Sequence, residues 1–83
     1  MRQITQLELA EFEKDLLFKQ IANPDYRYGQ AFLNYFKWVE ASLVADGDLG
    51  CIQANKIWNC SNRESVLNMC NSYTWIIGIY KND

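Results

Sequence analysis

The commonest catalytic side chain is missing from this chain: its 83 residues contain no histidine. That removes the usual general base near neutral pH and the usual metal ligand. The candidate nucleophiles are Cys51, Cys60 and Cys70, none of them in a CxxC pair. Such spacing does not make a zinc site, and a thiol or serine hydroxyl without a base beside it is not activated. The three thiols are therefore expected to be buried or half-buried, acting as small hydrophobes. The stretch "DGDLG" (residues 46–50) opens like a calcium loop. Its twelfth position is Ile57, where such a loop needs a bidentate glutamate, so the stretch is read as a turn. No catalytic residue, metal or cofactor is expected, and the chain is read as a non-enzyme.

Two polar sets remain. Glu8, Glu11 and Asp15 share one arc of a helix with Lys19. Asp15 and Lys19 stand i,i+4, so the arc reads first as a solvated helix face and second as an acidic patch for a basic partner. Arg27, Gln30 and Asn34 are three and four apart in "RYGQAFLN" and form a stripe beside Trp38. That stripe reads either as a set of inter-helix hydrogen bonds or as a polar, ring-edged binding surface.

Charge narrows the partner class. Eight basic and ten acidic residues leave a formal charge of −2, with the basic ones scattered along the chain. Nucleic-acid binding concentrates such charges, so it is not the first reading, and mimicry of nucleic acid would need a larger negative excess. A 49% hydrophobic composition lies well above what a disordered chain carries, so a core is expected. A chain of this length buries roughly 60% of its unfolded surface, enough for one small core. One domain over residues 1–83 is expected. Residues 1–10 lack a basic start followed by an apolar run, and no stretch reaches the ~20 apolar residues of a membrane span. A cytoplasmic setting is expected.

The elements that would hold these residues are four helices. The first opens on a capping box, "TQLE", with Thr5 as cap and Glu8 reaching back, and runs to about Ile21. Leu9, Phe12 and Leu16 make one apolar ridge; Ala10, Leu17 and Ile21 make a second, so contact with two neighbours is expected. The second helix is expected to start at Asn23 as cap, with Pro24 at its first position, and to end near residues 45–50. Its core face is Tyr28, Phe32, Tyr35, Val39 and Leu43, flanked by Ala31 and Phe36. Gly29 inside it costs about 1 kcal/mol against alanine, which points to a close helix crossing. The third, "DLGCIQANKIWN", faces the core through Cys51, Ala54 and Trp58. The fourth opens on a second capping box, "SNRE" from Ser61, and carries Val66, Met69, Cys70, Tyr73, Ile77 and Tyr80. Residues 72–80 also suit a buried strand, but no partner strand is evident, so helix is preferred. The expected fold is all-α, a compact bundle of three to four short helices.

Large side chains off these core faces suggest a surface. Tyr26 and Leu33 are expected to project away from the core, Trp38 to sit at its margin, and Trp75 and Ile79 to share an outer side of the fourth helix. Contiguous exposed apolar residues mark interfaces, and Trp, Tyr and Arg often anchor them. The competing reading buries them. The segment "NPDYRYGQAFLNYF" (residues 23–36) resembles one found in small uncharacterised proteins of bacterial and phage or prophage origin. Those read as Arg, an aromatic, Gly-Gln-Ala, an apolar pair and Asn, here Arg27 to Asn34. The resemblance covers under a fifth of the chain and implies a bacterial or phage-type intracellular setting; no activity comes with it. The function expected is a small non-catalytic protein-binding module, of the kind by which phage inhibit or modulate host proteins. Its partner-binding residues are Tyr26, Arg27, Gln30, Leu33, Asn34, Trp38, Trp75 and Ile79, and a homodimer through them is equally compatible. The other function kept open is a helix-turn-helix regulator, with "NCSNRE" as the turn and Asn62, Arg63 and Asn68 facing bases. No membrane or small-molecule ligand is expected.

Overall fold

The computed structural model describes residues 2–71 and 77–79. In chain order these form β1 (Arg2–Ile4), α1 (Gln6–Ala22), α2 (Tyr28–Tyr35), α3 (Lys37–Ala45), α4 (Asp48–Trp58), α5 (Arg63–Asn71) and β2 (Ile77–Ile79). The domain is helical in bulk, with five helices among the described residues where three or four are expected. The Cα radius of gyration is 12.3 Å, against about 12 Å for one globule of this length.

α1 starts where its capping box says. The Glu8 amide donates to Thr5 Oγ1 at 3.1 Å, and the Thr5 amide donates to Glu8 Oε1 at 3.3 Å. The next start is corrected. Asn23 closes α1 instead of opening α2, and Tyr26 N–H donates to the Asn23 carbonyl at 3.1 Å. Pro24 thus occupies the second position of a tight turn, where its fixed φ serves as well as at a helix start. α2 begins only at Tyr28.

The expected long second helix is two. Phe36 leaves helical geometry (φ −101°, ψ 70°), and the chain restarts as α3 in a new direction. No proline or glycine marks the break; it is held by burial of Phe36, 3% exposed, against Phe12, Phe32 and Tyr35. The change of direction lets α3 meet α4. Phe12 of α1 lies among the rings of α2, its centroid 5.3 Å from Tyr28, 5.6 Å from Phe32 and 5.4 Å from Tyr35. These edge-on and tilted contacts suit the quadrupoles of the rings. Most of the aromatic density of residues 26–36 is thereby accounted for as core, though Tyr35 stays 43% exposed.

α4 packs on α2 and α3 through two glycines. A Cβ on Gly29 would overlap the Ile57 carbonyl oxygen and stand 2.9 Å from that of Cys60; one on Gly50 would overlap the Leu43 carbonyl. The Gly29 amide donates to the Cys60 carbonyl at 2.8 Å, so the start of α2 satisfies an acceptor just beyond the end of α4. The close crossing expected at Gly29 is present. The inward face of α4 is Gly50, Ala54 and Ile57; Trp58 is half-buried, whereas Cys51 is exposed.

α5 is capped by Asn62 instead of Ser61: the Ser65 amide donates to Asn62 Oδ1 at 2.9 Å. Val66 and Cys70 are buried under it. A helix through residue 80 is also corrected, because Ile77–Ile79 is a strand. It pairs in parallel with β1, Arg2 opposite Ile77 and Ile4 opposite Ile79. The missing partner strand was the N-terminus, three residues long and 75 positions away, too short to show a period.

Candidate functional site

The residues expected to bind a partner do not form one patch. Leu33 is corrected: it is 1% exposed, because α2 is covered on more than one side. α1 covers it at Tyr28 and Phe32 and α4 at Gly29, and Leu33 stands one turn beyond Gly29 on the same stripe. Trp38 is half-buried and packs against the core. Trp75 lies outside the described residues. Ile79 belongs to β2, opposite Ile4, and not to an outer helix face. Tyr26, Arg27 and Asn34 do come together. Asn34 Nδ2 donates to the Tyr26 hydroxyl at 3.1 Å, the Tyr26 carbonyl accepts from Gln20 Nε2 at 3.0 Å, and Arg27 is exposed beside them. Gln30 is half-buried on the following turn.

A cleft lies next to this group. One hollow of about 390 Å³ is walled by Glu13, Leu17 and Arg63, and another of about 540 Å³ by Asp25, Tyr26 and Arg27; Gln20, Tyr28 and Ser61 border both. At its floor the Tyr28 hydroxyl donates to Glu13 Oε2 at 2.6 Å, and Arg63 Nε donates to the same oxygen. Burial, then donation to Glu13, pushes the Tyr28 phenol well above its ordinary range. Donation to Glu13 likewise holds the Arg63 guanidinium charged. A phenol held protonated is a donor and not a base, and the carboxylate already accepts two donors. The cluster ties α1 to α2 and to the start of α5, and its charges answer one another internally. Glu13 and Arg63 are 50 residues apart, and nothing in their local patterns pairs them.

The larger departure from a closed core is on α1. Its first ridge is interior, with Leu9, Phe12 and Leu16 at 7%, 1% and 5% exposure. Among the described residues, nothing covers the second ridge. Leu17 is 65% exposed and Ile21 80%, joined on the same face by Leu7 at 69% and Phe18 at 65%, with Ala10 and Lys14 also exposed. At ~100° per residue this is a continuous apolar band turned away from the core face. Sequence periodicity shows both ridges; it does not show which one finds a neighbour. The acidic arc lies between them, where Asp15 pairs with Lys19 at 3.0 Å and Glu8 serves the cap.

The thiols are free and graded in access: Cys51 exposed, Cys60 half-buried, Cys70 buried. Cys51 corrects the expectation that all three are shielded. Burial raises the Cys70 thiol to about 12. Among the described residues no three His, Cys, Asp or Glu side chains gather as a metal site, and no helix is long and apolar enough to cross a membrane. Compared with protein-family models, with curated proteins and with solved structures, the chain matches none, so the reading of its site rests on its own residues.

Proposed function

We propose that this chain is a small non-catalytic protein-binding module that acts through the outer face of α1. The observation that carries the reading is the band of Leu7, Leu17, Phe18 and Ile21, each about two-thirds exposed or more on one helix face. Single exposed hydrophobes are ordinary, whereas four on one face form the kind of patch that marks an interface. Covering them gives roughly 1.5–3 kcal/mol per side chain before the cost of association, about 4–15 kcal/mol, is subtracted. A modest affinity follows unless polar contacts are added, and Arg27 and Asn34 are exposed polar groups able to add them. The resemblance at Arg27–Asn34 implies a bacterial or phage setting, in which such a module would inhibit or modulate a host protein.

The experiment is affinity capture of the tagged chain from its native cells, with wild type against Leu17→Asp/Phe18→Asp. Wild type should recover a stoichiometric protein or a second copy of itself. The variant should lose it while circular dichroism and urea midpoint stay unchanged. A variant that unfolds would show the face to be interior and end the proposal. The helix-turn-helix alternative keeps some support, since α4 and α5 are joined by only four residues. Two of its three base-facing residues are engaged elsewhere, Asn62 as a cap and Arg63 on Glu13. A steep loss of affinity for arbitrary duplex DNA with rising salt would favour it; no binding at low salt would remove it.

A further inference from the structure

The exposed face of α1 has a register. Leu7, Lys14 and Ile21 stand seven apart, and Ala10 and Leu17 follow the first two by three residues. These five positions are a heptad seam of a and d sites on a 17-residue helix, and all five are exposed. The seam carries one charge, Lys14, and one small residue, Ala10.

In an antiparallel pair of such helices about a two-fold axis, each a site faces a d site of the other copy. Setting Leu7 against the partner's Leu17 puts Lys14 over the partner's Ala10 and beside the partner's Glu11. The lysine stem then lies on the methyl that leaves room for it, and the ammonium meets a carboxylate; symmetry repeats the arrangement. In a parallel pair the two Lys14 side chains would face each other on the seam. Phe18 borders the Leu7–Leu17 layer and widens the apolar strip. Size and charge at Leu7, Ala10, Lys14 and Leu17 thus complement the same four positions run backwards, with Ile21 beyond the paired stretch. We infer that two copies of this chain associate through α1, antiparallel, with the axis at the level of residue 12. The inference rests on the proposed docking role of this face and names its occupant as a second copy, in the isologous arrangement of most soluble dimers.

Sedimentation equilibrium of the full chain tests it. Wild type should show a concentration-dependent dimer mass. Lys14→Glu should weaken association by at least about tenfold, because it sets two carboxylates against each other across the axis, and Glu11→Lys should do the same with two ammonium groups. Combining Glu11→Lys with Lys14→Glu should restore association to within a few-fold of wild type. A dimer indifferent to all three but lost in Leu17→Asp would overturn the antiparallel register. A wild type that stays monomeric up to its solubility limit would overturn self-association. If that monomer still captures another protein and Phe18→Asp abolishes the capture, the docking face survives with a different occupant. If Phe18→Asp melts the monomer, the docking role falls as well.

Discussion

Two sides of this molecule are built on opposite terms. Where α4 crosses α2 and α3, the chain places Gly29 and Gly50, and neither position admits so much as a methyl group. On the outer face of α1 it places Leu7, Leu17, Phe18 and Ile21, and among the described residues nothing covers them. The uncovered band is not the overflow of a core too small for its hydrophobes. Gaps are closed elsewhere by backbone-to-backbone contact, and Phe12, on the inner face of α1, is already ringed by the aromatics of α2. Tight packing at the glycine crossing and exposed apolar side chains on the outer face of α1 are the contrast on which the proposed docking role of that face rests.

The glycine crossing offers the largest effect. Gly29→Ala should remove cooperative folding or lower stability by about 3 kcal/mol or more, since the new methyl overlaps backbone that cannot rotate away. That loss should exceed the ~1 kcal/mol that alanine gains in helix propensity. Urea unfolding with wild-type or better stability would show that α2 and α4 are not in contact there.

The two faces of α1 can be set against each other directly. Phe12→Ala should cost about 3–5 kcal/mol, as for a large core ring. Phe18→Ala, six residues along, should change the stability of the dilute monomer by no more than about 0.5 kcal/mol. Equal losses in chemical denaturation would erase the distinction between inner and outer face.

An alkaline titration probes the interior beneath α5. The Cys70 thiol is raised from 9.0 to about 12 by burial, so below about pH 9 it is protonated in both folded and unfolded chains and has no effect. Between about pH 9 and 12 the unfolded thiol ionises while the folded one does not. Stability should fall there by up to about 1.4 kcal/mol per pH unit from this group. Tyr28, raised in the same direction, adds to the loss above its ordinary value of 10.0. Cys70→Ala should flatten the first part of that limb in urea midpoints measured against pH.

A smaller effect than those at the glycine crossing and the core ring belongs to the Glu13 cluster. Tyr28→Phe deletes the donor to Glu13 but leaves the Arg63 contact, so a loss of about 1 kcal/mol is expected. A loss several times larger would mean that the hydroxyl orders the whole α1–α2–α5 junction.

Local patterns made much of the fold readable. Thr5 and Glu8 fix the start of α1 because a capping box needs only neighbours in sequence. Gly29 announced a close crossing because glycine is disfavoured in a helix unless something fills the space of its missing side chain. The sharp stop at Asp46 and Gly47 was legible from turn chemistry, and Gly47 has φ +86°. The break at Phe36 was not readable, since the residue is an ordinary helix former there and only its burial among three rings bends the chain. Neither was the pairing of residues 2–4 with 77–79, nor that of Glu13 with Arg63, because each joins distant segments that carry no local mark of the other.

Read from local pattern, this chain is mostly helical, α1 begins at its capping box, α2 meets a neighbour closely at Gly29, and α1 carries two apolar ridges. Those properties come from periods and caps spanning a few residues. Packing between helices settles which ridge is interior, that Leu33 is sealed while Leu17 and Phe18 are open, and which polar groups answer one another. A helix presents its faces through the same periodicity whether or not anything lies against them. Burial is a relation between segments and is settled only when they pack.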